Sequence, residues 1–169
     1  TEIEMNIICG TDFSVHANKA VLASAALAAR QGGTLSLVHV LDTRNYLNPS
    51  PELVQHLRDS RQKKLDALAD RARRRAAKVE THLLEGSPAM KLTEFARKAA
   101  AQLLVVSANG QIAPTKWFVG SVTDQVAQAA DIQTIVLRDA AAIEAWAYGK
   151  RPLNILIAYD FSASAEAAL

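Results

Sequence analysis

The chain has 169 residues, of which half are apolar and 21% charged, with a formal net charge of +2. This suffices for one ordinary domain with something left over, and it excludes wholesale disorder. Near-neutral charge gives poor support to a nucleic-acid binder, and the single cysteine, Cys9, excludes a disulfide framework and reads as a buried thiol.

A lone thiol fits a reducing compartment. The opening Thr1-Glu2-Ile3-Glu4 lacks the basic and apolar character of a secretion signal, and no run approaches about 18 uninterrupted apolar residues. The simplest expectation is a soluble cytoplasmic protein that does not enter a membrane.

Residues 5–10 read as a buried strand, followed by Asp12 at its end and by Ser14 as N-cap of a helix of about 15 residues. Ala17, Val21, Leu22, Ala25 and Leu27 supply that helix with an apolar stripe, and Gly32-Gly33 stops it. A second strand, 34–41, is apolar almost throughout, as a strand covered on both faces should be. After the polar connection 42–51, Ser50 and Pro51 cap and open a long helix to about Ala77. Its expected buried stripe is Leu53, Leu57, Leu65, Leu68, Ala72 and Ala76, with the stem of Arg61 along the core edge. A third strand over 78–84 alternates like a sheet edge, and Ser87-Pro88 starts a helix over 88–101. A fourth strand at 103–107, a helix at about 122–130 and a fifth strand at 132–137 complete the pattern. Repeated β-α units with connections of this length predict an open parallel five-stranded sheet with helices on both faces, a three-layer α/β fold.

The stretch from Leu103 to Leu137 carries the candidate site. An apolar strand ends in Ser107, Gly110 opens a polar loop, and Gly120-Ser121 leads into the next helix. Strand, glycine loop and helix start is the arrangement that sets an anion against free N–H groups at a helix N-terminus. Twelve residues separate Ser107 from Gly120, long against the usual connection of about two to six. Long loops above the carboxyl ends of parallel strands are candidate binding elements.

The chain also repeats itself. Residues 5–21 lie over 153–169 without a gap, at an offset of 148. Seven of the 17 pairs are identical, among them Asp12/Asp160, Phe13/Phe161 and Ser14/Ser162. The expected organisation is a domain over 1–138, a linker over 139–152, and at 153–169 the first strand and helix start of a second copy. One strand and part of a helix cannot bury a core of their own.

These motifs resemble the universal stress protein family, whose fold is Rossmann-like (adenine nucleotide α-hydrolase-like). Its ATP-binding members carry Gly, two residues, Gly, nine residues, then Gly-Ser or Gly-Thr. The matching positions are Ser107, Gly110, Gly120 and Ser121, with both spacings intact and serine in place of the first glycine. Asp12 matches the family's acidic residue near the adenosine, and Val40 the position whose backbone meets adenine. The resemblance implies an ATP-binding module, with Mg²⁺, that serves regulation in the stress response with little or slow hydrolysis. It further implies a homodimer or a pseudo-dimer of tandem domains, paired through the strand at 132–137.

The residues agree with parts of this. Gly110 can aim consecutive N–H groups at an anion, Gly120 admits a close phosphate, and Ser121 can cap the helix or donate to phosphate. Two alternatives stay open at Ser107. If the position needs positive φ, serine costs roughly 1–2 kcal/mol; if it is ordinary strand, serine costs nothing. A strained Ser107 would favour the rival reading, a dimerisation or protein-interaction module of the same fold that binds no nucleotide.

Other signals are weaker. Nine basic residues between Arg58 and Lys78 read as a solvated helix face, with a protein or nucleic-acid contact as the sharper alternative. His16, His39, His56 and His82 have no partner at ligand spacing, so no metal site is expected. Lys116 is the nearest cation for phosphate, Trp117 and Phe118 read as loop anchors, and Asp124 reads as favourable first-turn charge or a hydrated Mg²⁺ contact. No catalytic residue stands out.

Overall fold

The computed structural model describes residues 5–75, 78–110, 120–157 and 161–166. Five parallel strands form one sheet in the order β3-β2-β1-β4-β5. They are β1 (Asn6–Gly10), β2 (Thr34–Leu41), β3 (Lys78–Glu85), β4 (Leu103–Ser107) and β5 (Thr134–Leu137). The expected α/β fold with an open parallel sheet is what the chain adopts.

Successive strands step outward from β1 to β2 to β3, then the chain crosses back to place β4 beside β1. That reversal makes the crevice above the carboxyl ends of β1 and β4 the topological switch point, where ligands of open α/β sheets bind. The three central strands are buried almost throughout, which explains their lack of alternation. Edge strand β3 carries exposed Lys78 and Glu80.

Two cores sandwich the sheet. On one face α1 (Val15–Arg30) and α2 (Pro51–Arg73) bury Val21, Leu65 and Leu68 against Ile7, Leu35 and Val105. On the other, α3 (Pro88–Lys98) and α4 (Ser121–Ala129) bury Leu92 and Val126 against Ile8, Val38 and Leu104. Ser14 caps α1 by accepting from the Ala17 N–H, and Ser50 caps α2 by accepting from the Leu53 N–H, as the sequence predicts.

The stripes differ from expectation in informative ways. Leu53 is 39% exposed and Leu57 only half-buried, so α2 buries Leu65, Leu68, Ala69 and Ala72 but not its first turns. A helix of 23 residues is about 34 Å long, against about 26 Å for the eight-residue strand β2 beneath it. The excess overhangs the strand ends. Helix α1 is buried more widely than a single stripe, although Leu22 itself is only half-buried. Its additional cover is α5 (Ala141–Ala147), which packs on α1 within the stretch 139–152 expected as linker. There Arg30 stacks on Trp146 at 4.3 Å, and Arg75 pairs with Glu144 at 3.2 Å.

The second copy of the repeat reproduces local geometry of the first. Phe13 has φ 65° and Phe161 φ 63°. The Ala165 N–H donates to Ser162 Oγ at 3.1 Å, as Ala17 does to Ser14. Residues 153–157 pair with no strand among the described residues, and Ile155 and Leu156 stand 74% and 98% exposed.

Candidate functional site

A cleft of about 590 Å³ opens above the carboxyl ends of β1, β2 and β4. Asp12, Val40, Ser107, Gly110, Gly120 and Ser121 all line it. The structure thus brings these six candidate residues together. Lys116, Trp117 and Phe118 lie outside the described residues.

The floor is built by the turn after β1. The Thr11 N–H bonds to the Val38 carbonyl at 2.9 Å, continuing the ladder one residue past the strand. The Phe13 N–H donates to Thr11 Oγ1, and the Ser14 N–H donates to Asp12 Oδ1 at 2.9 Å. These bonds hold Phe13 in the left-handed region, a conformation costing on the order of 1 kcal/mol, and fix the direction of Asp12.

His39 forms part of the wall. It is buried, its ring lies 4.4 Å from that of Phe13, and its Nδ1 is 2.7 Å from the Thr11 carbonyl. A carbonyl only accepts, so Nδ1 carries the proton. Burial lowers the His39 pKa below its usual 6.5, against an opposing contribution from the Thr11 bond, and the nearby Arg61 guanidinium adds to the lowering. Asp42 stands at the rim, its carboxylate gripped through both oxygens by Arg44 at 2.8 and 2.7 Å, which holds its pKa down.

Ser107 settles its own alternative. It is the last residue of β4 and is absent from the positive-φ positions, so serine causes no backbone strain. Its hydroxyl donates to the Asn109 carbonyl at 2.9 Å. Its own carbonyl accepts from Thr123 Oγ1 at 2.8 Å, a buried bond that ties β4 to the first turn of α4.

Gly110 is constrained for a different reason from the one expected, whereas Gly120 is not constrained by its own backbone. Gly110 does not adopt positive φ; a Cβ there would lie 2.9 Å from Asp12 Oδ2. Its constraint is the approach of a carboxylate. Gly120 has φ −61° and ψ 146°, which any residue adopts, and the nearest atom to an added Cβ is the Ala108 carbonyl oxygen at 3.8 Å. Nothing in the described protein requires glycine there, and the residue lines the cleft. Ser121 is the first helical residue, whereas the cap is Gly120, which has no side chain to occupy the N–H groups of α4. Asp124 does not line the cleft and accepts from Gln128 instead, which favours its reading as first-turn charge.

Sequence reading missed Thr11, His39, Asp42 and Thr123 as cleft residues, and it placed Arg61 on the core edge rather than on the cleft wall. The Thr123 and His39 contacts join residues 16 and 28 positions apart, beyond any local pattern. Among the described residues no group of three or more metal-ligating side chains occurs. No described helix is long and apolar enough to cross a membrane.

An open parallel sheet with its cleft at the switch point, bordered by a glycine-capped helix, defines an α/β protein of the Rossmann-like class. The model of the universal stress protein family matches residues 5–138, and the chain belongs to that family. The universal stress protein MJ0531 of Methanocaldococcus jannaschii is 27% identical over 134 residues, covering 76% of this chain and 77% of its own length. A universal stress protein solved in complex with cAMP superposes with a TM-score of 0.63 at 24% identity, over 79% of this chain and 96% of that one. One from Archaeoglobus fulgidus DSM 4304 superposes with a TM-score of 0.76 at 18% identity, over 96% of this chain but 59% of that one.

Proposed function

We propose that the chain binds an adenine nucleotide, ATP with Mg²⁺ foremost, and acts as a cytoplasmic regulatory module of the stress response. The observation that carries this is the convergence of Asp12, Val40, Gly110, Gly120 and Ser121 on one switch-point cleft. The cleft volume falls within the roughly 300–1,000 Å³ typical of small-molecule sites. In this reading adenosine lies by Asp12 and Val40, and phosphate lies by Ser107, Gly110 and the α4 N-terminus. The cAMP complex of a protein with the same fold supports the nucleotide class.

The fit test is the space at Gly120, where the nearest atom a Cβ would meet among the described residues is 3.8 Å away, beside a first turn of α4 that has no side-chain cap. A bound nucleotide supplies the phosphates that this helix end receives. Little or slow hydrolysis is expected. Asp42 is committed to Arg44 through both oxygens, which leaves it poorly placed to activate water. The motive for a nucleotide-free assembly module was strain at Ser107, and that motive is gone.

Two organisational proposals accompany this one. Residues 153–169 begin a second copy of the domain, as the paired geometry at Phe13 and Phe161 suggests. Edge strand β5, with Val136 39% exposed, is the surface for pairing with another such domain.

The test is to denature the purified protein and identify any released small molecule by chromatography and mass. Release of ATP or ADP at close to one per domain supports the reading. An empty extract, joined to no heat on titrating Mg-ATP, overturns it.

A further inference from the structure

Arg61 is the residue that the cleft leaves unexplained. Among the described residues lining the cleft it is the basic side chain, and it belongs to α2, not to the glycine loop. Of the other basic residues on α2, Arg58 pairs with Glu85 and Arg73 with Asp70, while Lys63, Lys64 and Arg71 do not line the cleft. Arg61 is in no ion pair among the described residues. The rim carboxylate that could have taken it, Asp42, is held by Arg44 through both oxygens. Half-buried on the cleft wall, its guanidinium is close enough to His39 to disfavour the imidazolium form.

The topology gives this cation a specific place. Helices α2 and α4 pack on opposite faces of the sheet, and both reach past the strand ends to the cleft. Arg61 and the α4 N-terminus therefore approach the same space from opposite sides. One offers a guanidinium with five donors, the other backbone N–H groups that no side chain of the described residues caps, and both are suited to phosphate oxygens. Such a two-sided arrangement grips a ligand through its charge, and the grip strengthens as phosphates are added.

We propose that Arg61 is a specificity-determining residue that contacts the phosphate chain of the bound nucleotide and selects polyphosphates over the nucleoside. This rests on the nucleotide reading of the cleft. A guanidinium stacked on the base would instead contribute equally to every adenine compound, because stacking does not depend on the phosphates.

The experiment titrates adenosine, AMP, ADP and ATP into the wild type, Arg61→Met and Arg61→Lys, at low and high salt. Arg61→Met keeps the apolar stem and removes the charge, and thermal melting verifies that each variant is folded. The expected result is a loss of roughly tenfold for ATP in Arg61→Met, a smaller loss for AMP and none for adenosine. Arg61→Lys recovers part of the ATP affinity, and added salt narrows the gap between wild type and Arg61→Met. Equal losses for adenosine and ATP, or no loss at all, overturn the role of Arg61 while leaving the nucleotide site standing. A wild type that binds none of the four compounds overturns both.

Discussion

Gly110 and Asp12 meet across the mouth of the cleft so closely that a Cβ on Gly110 would lie 2.9 Å from Asp12 Oδ2. The two residues come from different strand ends, and one bounds the space in which the other can hold its carboxylate. A methyl group at 110 must therefore displace Asp12. Gly110→Ala is expected to weaken ATP binding about tenfold and to cost about 1 kcal/mol of stability. Calorimetric titration and thermal melting check the two effects. Asp12→Ala by itself forfeits the Ser14 N–H bond, so the double variant Gly110→Ala with Asp12→Ala should be about as stable as Asp12→Ala alone and should not regain the binding. A double variant that adds the full Gly110→Ala loss to that of Asp12→Ala would show that the clash lies elsewhere.

Gly120 separates folding from binding in the opposite way. An alanine at 120 fits the folded protein, since its Cβ would sit at an ordinary contact distance. The expected stability change for Gly120→Ala is under about 1 kcal/mol, set by the poorer helix cap. Nucleotide affinity should fall by tenfold or more, because the methyl group enters the space assigned to phosphate. Matched melts and titrations decide this, and unchanged affinity would move the phosphates away from α4.

Ser107 is expected to be better than the glycine it replaces in the family pattern. Ser107→Gly removes the hydroxyl bond to the Asn109 carbonyl and relieves no strain. It should lower stability by about 1 kcal/mol and leave ATP affinity no higher than wild type. A gain in affinity would show that the serine does impair the loop. At the neighbouring bond, Thr123→Val removes the donor to the buried Ser107 carbonyl at nearly constant volume. A loss of about 1–3 kcal/mol is expected in denaturant unfolding.

His39 makes stability depend on pH. Its folded pKa lies below 6.5, so between 6.5 and the folded value the unfolded chain binds the proton and the native protein does not. The stability that neutral His39 contributes is therefore complete above pH 6.5 and is lost as pH falls toward the folded pKa. His39→Phe should flatten the stability profile just below pH 6.5. An identical slope in wild type and variant would assign the dependence to other groups.

Much of this was legible from residues alone, for identifiable reasons. Ser14, Ser50 and Pro51 mark helix starts by local chemistry, and the unbroken apolar runs of β1, β2 and β4 declare a sheet covered on both faces. The six candidate residues share a cleft because strand order and loop spacing put them there. What the sequence concealed depends on distance in the fold. The overhang of α2 follows from its length against β2, and Arg61 reaches the cleft where the middle of α2 passes the strand ends. The reason for glycine at 110 is a carboxylate 98 positions earlier in the chain, and the cover of α1 is a helix more than a hundred residues later. Periodicity cannot register either.

The most direct test of the central claim is a calorimetric titration of Mg-ATP into nucleotide-stripped wild type and Gly120→Val, with circular dichroism and melting to show both folded. The account predicts saturable binding near one per domain in the wild type and its loss in the folded variant. Equal binding by both proteins, or none by the stripped wild type, would contradict it.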